Sequence, residues 1–91
     1  SESSRRMFLR IDGEAQAIEQ ELSRTDGIRG VAREQASDGA SGFVVVLDDE
    51  RRGRQAINAM IERNHWDLVE MRPVETSLED VFIKLVTREE A

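Results

Sequence analysis

Apolar residues alternate along Arg6 to Ile11, with Met7, Leu9 and Ile11 on one side, and this period of two predicts a strand. Asp12-Gly13 ends it. From Glu14 to Arg24 the period lengthens. Ala15, Ile18 and Leu22 share one helix face, and acids crowd the first turn, where the helix dipole favours them. Thr25-Asp26-Gly27 signals a turn or cap. Ile28 to Arg33 predicts a weaker strand, because Gly30 interrupts it. Glu34 to Gly42 carries Ser, Asp, Ala and two glycines, and predicts a mobile hairpin connection. Phe43 to Leu47 is the strongest strand pattern, with Phe43, Val45 and Leu47 on one face and Val44 and Val46 on the other. Asp48 or Asp49 can cap a helix that runs to about Asn64, with Ala56, Ile57, Met60 and Ile61 as its buried stripe and Asn64 as a C-cap residue. Leu68 to Arg72 predicts a fourth strand, ended by Pro73.

A last helix is expected after Pro73. Thr76 and Ser77 are good N-cap types, and Glu79 stands three residues after Thr76, as a capping box requires. Leu78, Val81, Phe82 and Leu85 then fall at i, i+3, i+4 and i+7. Ile83 and Val86 widen this stripe to an arc of about 200°, against about 100° for an ordinary surface helix. One small sheet cannot cover that arc, so the helix is expected to pack both on its own domain and on a partner. Leu78, Val81, Phe82, Ile83, Leu85 and Val86 form the candidate interaction surface. The whole order is β-α-β-β-α-β-α. It predicts an α+β fold of the split βαβ, ferredoxin-like type: a four-stranded antiparallel sheet, two helices on one face, and an extra C-terminal helix. Residues 1–5 read as linker and 6–91 as a single domain.

Composition narrows the function classes. The 91 residues carry 13 basic and 19 acidic side chains, a net charge of −6. Counterion-release binding to nucleic acid needs a basic face, so no nucleic-acid partner is expected. The chain has no cysteine, which excludes thiolate metal sites and cysteine nucleophiles and fits a cytoplasmic setting. Nothing approaches the roughly 20 apolar residues that span a bilayer, so direct membrane insertion is not expected.

Candidate chemistry is sparse. There is no G-x-x-x-x-G-K-[ST] phosphate loop and no G-x-G-x-x-G. His65 is the only histidine, which rules out a multi-histidine metal site, and it reads as a surface residue just past a helix end. Asp48-Asp49-Glu50 offers clustered oxygens to a hard cation but lacks calcium-loop spacing, and a capping role explains it better. Arg51, Arg52 and Arg54 can grip an anion, yet beside three acids they read as local ion pairs. Trp66 can anchor an interface, but more simply closes the core beneath a helix end, with Phe43 as the second core anchor. Glu79 and Asp80 are explained by their place in a first helical turn. No catalytic, cofactor-binding or metal site is assigned.

The run from Trp66 to Val86, W-D-L-V-E-M-R-P-V-E-T-S-L-E-D-V-F-I-K-L-V, resembles the end of ABC-transporter ATP-binding subunits of the ABC-2 exporter type, including drug-export and gliding-motility relatives. Those subunits carry a C-terminal accessory region of this size after the ATPase core. It ends in a strand, a proline and a Ser-Leu-Glu-Asp-Val-Phe-like helix. The match is close over Ser77 to Phe82, and Trp66 and Pro73 sit where the pattern expects them. Upstream, the likeness is only in length and element order. The resemblance implies a non-catalytic accessory domain on the cytoplasmic face of the membrane. Its implied partners are the ATPase core of the same chain, a second ATPase subunit and the permease. ATP and magnesium would belong to the parent protein, since the phosphate loop, signature motif and Walker-B acid are missing here, and no ATP-site residue carries over.

Two other classes compete. A ferredoxin-like small-molecule sensor would bind effectors near the Asp12-Gly13 and Asp26-Gly27 turns, and its ligand would raise the melting temperature. An RNA-binding domain of this topology needs exposed aromatics on its sheet, whereas Phe43 and Phe82 read as structural.

Overall fold

The computed structural model describes residues 5–34 and 40–74 of the chain. The expected helix over 77–86 and the middle of the expected hairpin connection, 35–39, lie outside the described residues. Six elements follow in order: β1 (Arg6–Asp12), α1 (Ala15–Arg24), β2 (Ile28–Glu34), β3 (Ser41–Leu47), α2 (Glu50–Asn64) and β4 (Asp67–Pro73). The strands form one sheet in the order β2-β3-β1-β4, and every neighbouring pair is antiparallel. The α1 crossover therefore steps over β3, and the α2 crossover steps over β1. Each split βαβ unit fills the gap left by the other, which is the ferredoxin-like arrangement.

Strand alternation decides which face is buried. Met7, Leu9 and Ile11 of β1 and Phe43, Val45 and Leu47 of β3 point to one side and are fully buried. Ile18 and Leu22 of α1 and Ile57, Met60 and Ile61 of α2 complete the same cluster, so both helices lie on that side. Gly53 joins the buried stripe of α2, where Ala56 is only half-buried. A Cβ at Gly53 would come 2.7 Å from Leu47 Cδ1, so the glycine lets α2 settle directly on β3.

Beta-bulges set the phase of both edge strands. In β2 the pairing jumps from Ile28↔Leu47 to Gly30↔Val46, leaving Arg29 as the extra residue. In β4 it jumps from Leu68↔Ile11 to Glu70↔Arg10, leaving Val69. Ile28 and Val31, and likewise Leu68 and Met71, stand three residues apart. A regular strand would turn one of each pair away, and the bulge lets both reach the core.

Several boundaries differ from the sequence reading. Glu34 is the last residue of β2 and pairs with Gly42 of β3, so the strands run into the ends of the expected connection. No acid lies in the first turn of α1. Glu14 is instead the N-cap, and its carboxylate accepts from Gln16 N at 2.9 Å and Ala17 N at 3.1 Å. The C-cap of α2 is His65 rather than Asn64. His65 takes the left-handed conformation at φ 60°, while the Asn64 amide donates back to the Met60 carbonyl and stays helical.

Candidate functional site

With both described helices on one side, the other face of the sheet has no described helix on it. Its side chains follow from the register. One row runs Ala32, Val44, Phe8, Arg72 from β2 to β4. A second runs Gly30, Val46, Arg6, and a third runs Glu34, Gly42, Arg10, Glu70. The middle of the face is thus apolar, and arginines gather toward β1 and β4.

Phe8 is the centre of this surface. It is half-buried, and its ring lies over Gly42, where a Cβ would meet Phe8 Cε1 at 3.3 Å. The Arg72 guanidinium stacks over the same ring, 4.6 Å from its centroid, a cation–π contact. Glu70 holds that arginine in place, accepting from Arg72 Nε at 2.8 Å, and Arg10 Nη1 lies 3.9 Å from the same carboxylate. Sequence reasoning passed over Phe8. The signal was present: once Met7, Leu9 and Ile11 face the core, Phe8 must face outward between Arg6 and Arg10.

The sequence-derived candidates fall elsewhere. The interaction surface of Leu78, Val81, Phe82, Ile83, Leu85 and Val86, and the acids Glu79 and Asp80, lie outside the described residues. Phe43 is fully buried in the core. Trp66 is half-buried and packs on Gly13, where a Cβ would come 2.8 Å from Trp66 Cδ1. The indole therefore fills the Asp12-Gly13 turn, one of the two places assigned to an effector. At the other, Gly27 adopts φ 93°, a conformation that suits glycine. Beside that turn an open hollow of about 250 Å³ lies between α1 and α2, bounded by Thr25, Asp26, Ala56 and Ala59. Its rim is closed by ion pairs from Glu21 to Arg24 and Arg63, each at 3.6 Å.

The acidic triplet is not gathered on one point. Asp49 caps α2, its Oδ1 accepting from Arg51 N at 3.0 Å and Arg52 N at 3.4 Å. Asp48 pairs with Arg29 at 2.9 Å, and Glu50 with Arg54 at 3.9 Å. Among the described residues no group of three His, Cys, Asp or Glu side chains is arranged to hold a metal ion. Arg51 and Arg52 are exposed, as is His65. Among the same residues no helix is long and apolar enough to cross a membrane. Compared with known proteins, the chain matches no family model and no curated protein.

Proposed function

We propose that this chain is a non-catalytic accessory domain of an ABC-2-type exporter ATP-binding subunit, and that it acts by protein packing. One observation carries the reading. β4 ends at Pro73, Trp66 stands at its entrance, and Ser77-Leu78-Glu79-Asp80-Val81-Phe82 begins four residues after the proline. That is the strand, proline and motif order of the family that the sequence resembles. The ferredoxin-like frame supports it, because such a frame presents surfaces on a rigid sheet without needing a catalytic constellation.

In this reading the domain steadies the ATPase subunit, its dimer or its contact with the permease. Ile83 and Val86, on the flank of the sequence stripe, meet the partner. Ile83→Asp tests it. The melting temperature of the isolated chain should move by no more than a few degrees, since surface substitutions usually stay within about 0.5 kcal/mol. In the full-length ATPase the same change should weaken subunit association and lower ATPase activity. An unfolded isolated domain, or an unaffected full-length protein, would remove the partner surface.

A further inference from the structure

We propose that the outer edge of β2, from Gly30 to Glu34, pairs antiparallel with the same edge of a second copy of this chain, joining two four-stranded sheets into one. The proposal stands apart from the accessory-domain reading, because it rests only on β2, α1 and the order of the sheet.

The two edges of the sheet differ. β2 and β4 are the outer strands, and among the described residues no strand pairs with the far side of either. An edge strand points alternate N–H and C=O groups away from its sheet, a template for another strand. β4 is blunted along its length: Pro73 has no N–H to give, and the bulge at Val69 breaks its run. In β2 the bulge lies near the start, at Arg29, and the pairing from Gly30 to Glu34 is regular and free of proline. Ala32, Arg33 and Glu34 are exposed, so a strand can reach them.

Charge fixes the register of such a pair. Antiparallel self-pairing sets residues of one face opposite each other about a two-fold axis at one residue, and like charges directly opposite are unfavourable. An axis at Gly30 runs the pairing into the bulge, and an axis at Val31 sets the bulged Arg29 against Arg33. Axes at Arg33 or Glu34 set each charge against its own copy. An axis at Ala32 sets Gly30 against Glu34, Val31 against Arg33 and Ala32 against itself, with no like pair. The helix above agrees. Arg33 Nε donates to Glu19 at 3.0 Å, which puts that flank of α1 over β2, while Glu21 turns the other way to Arg63 of α2. Gln16, Gln20, Ser23 and Arg33 border an open hollow of about 430 Å³ beside this edge. The two-fold brings a second α1 toward the hollow with the same exposed Gln16, Gln20 and Ser23. Amides and hydroxyls both donate and accept, so copies of one group can bond to each other. A bare peptide strand would satisfy the edge and leave that flank in water.

The test uses the full chain, whose lack of cysteine makes introduced thiols unambiguous. Sedimentation equilibrium from micromolar to sub-millimolar concentration should show a dimer and nothing larger. Ala32→Asp sets two carboxylates against each other at the axis and should weaken association by about tenfold or more. Because Ala32 is exposed, the far-ultraviolet circular dichroism should stay unchanged. Residues directly opposite in an antiparallel pair have Cα atoms about 4.5–5.5 Å apart, within the span of a disulfide. Ala32→Cys should therefore give a disulfide dimer on mild oxidation, whereas Ala59→Cys, exposed on α2, should not. Should Ala32→Asp fail to fold, the two cysteine variants decide. A chain that stays monomeric overturns the proposal and leaves the edge to another protein's strand. So does a dimer that Ala32→Asp leaves equally tight or that Ala32→Cys does not link, since its contact lies elsewhere. Equal cross-linking at positions 32 and 59 would mark random collision and overturns it as well.

Discussion

Glycine at two buried positions allows contacts that a side chain would crowd. Gly42 lets the Phe8 ring sit close against β3, and Gly53 lets α2 approach Leu47. The second invites a quantitative prediction, because two effects oppose each other. Replacing a mid-helix glycine with alanine gains about 1 kcal/mol of helix propensity. At Gly53, however, the new methyl group would stand 2.7 and 2.8 Å from the two Leu47 methyls, and Leu47 is itself fully buried in the core. Overpacking of a filled core costs about 1–3 kcal/mol. The clash should win, so Gly53→Ala should lose about 1 kcal/mol net and lower the melting temperature by about 4–8 °C. An unchanged or higher midpoint in thermal unfolding would mean that Leu47 can move aside and that the close approach is not tight.

At the scale of elements, the ladder and the helices were legible in the sequence where period and caps agree. Phe43, Val45 and Leu47 announce β3, and the Ile57, Met60 and Ile61 stripe announces α2, because both signals are repeats of one residue class at a fixed spacing. The edge strands were less legible, and so were their phases. A bulge breaks the period of two, so nothing in Ile28-Arg29-Gly30-Val31 or Leu68-Val69-Glu70-Met71 says in isolation which residue is skipped. The candidate site was legible in chemistry but not in place. Phe8 hides inside a strand whose inward residues draw attention, and only the register puts it beside Val44, Gly42 and Arg72. The β4 bulge has a mechanical consequence. Val69 is 49% exposed and has no partner in the ladder to β1. Deleting it would leave Leu68 and Met71 two residues apart, which a regular strand already sends to one face. The Val69 deletion should therefore fold, with a loss below about 2 kcal/mol in denaturant unfolding, within the range of ordinary single changes. Deleting Phe8 instead would flip Leu9 and Ile11 away from the core relative to Met7, and that chain should not fold cooperatively. Equal damage from the two deletions would show that the bulge is required for the fold.

Taken as a whole, the molecule has two helix N-termini among its described elements, and these are the natural places for a phosphate to bind, since their backbone N–H groups lack partners inside the helix. Both are occupied by the chain's own carboxylates. Glu14 accepts from Gln16 N and Ala17 N at the start of α1, and Asp49 accepts from Arg51 N and Arg52 N at the start of α2. An arriving phosphate would have to displace a tethered anion and approach its charge. The net charge of −6 adds a general repulsion at low ionic strength. Nor do the described residues offer a glycine-rich loop as a second set of donors, for the glycines at 13, 42 and 53 are packed against Trp66, Phe8 and Leu47. The isolated chain should therefore neither bind nor hydrolyse MgATP. Titration calorimetry should give no saturable heat at micromolar nucleotide, and phosphate release should match the protein-free control. Removing the competing anion with Asp49→Asn keeps a capping oxygen while taking away its charge, so the domain should stay folded and still show no micromolar site. Saturable binding in that variant would mean that the caps alone hold off the phosphate. Binding in the unsubstituted chain would mean that this domain carries a nucleotide site of its own.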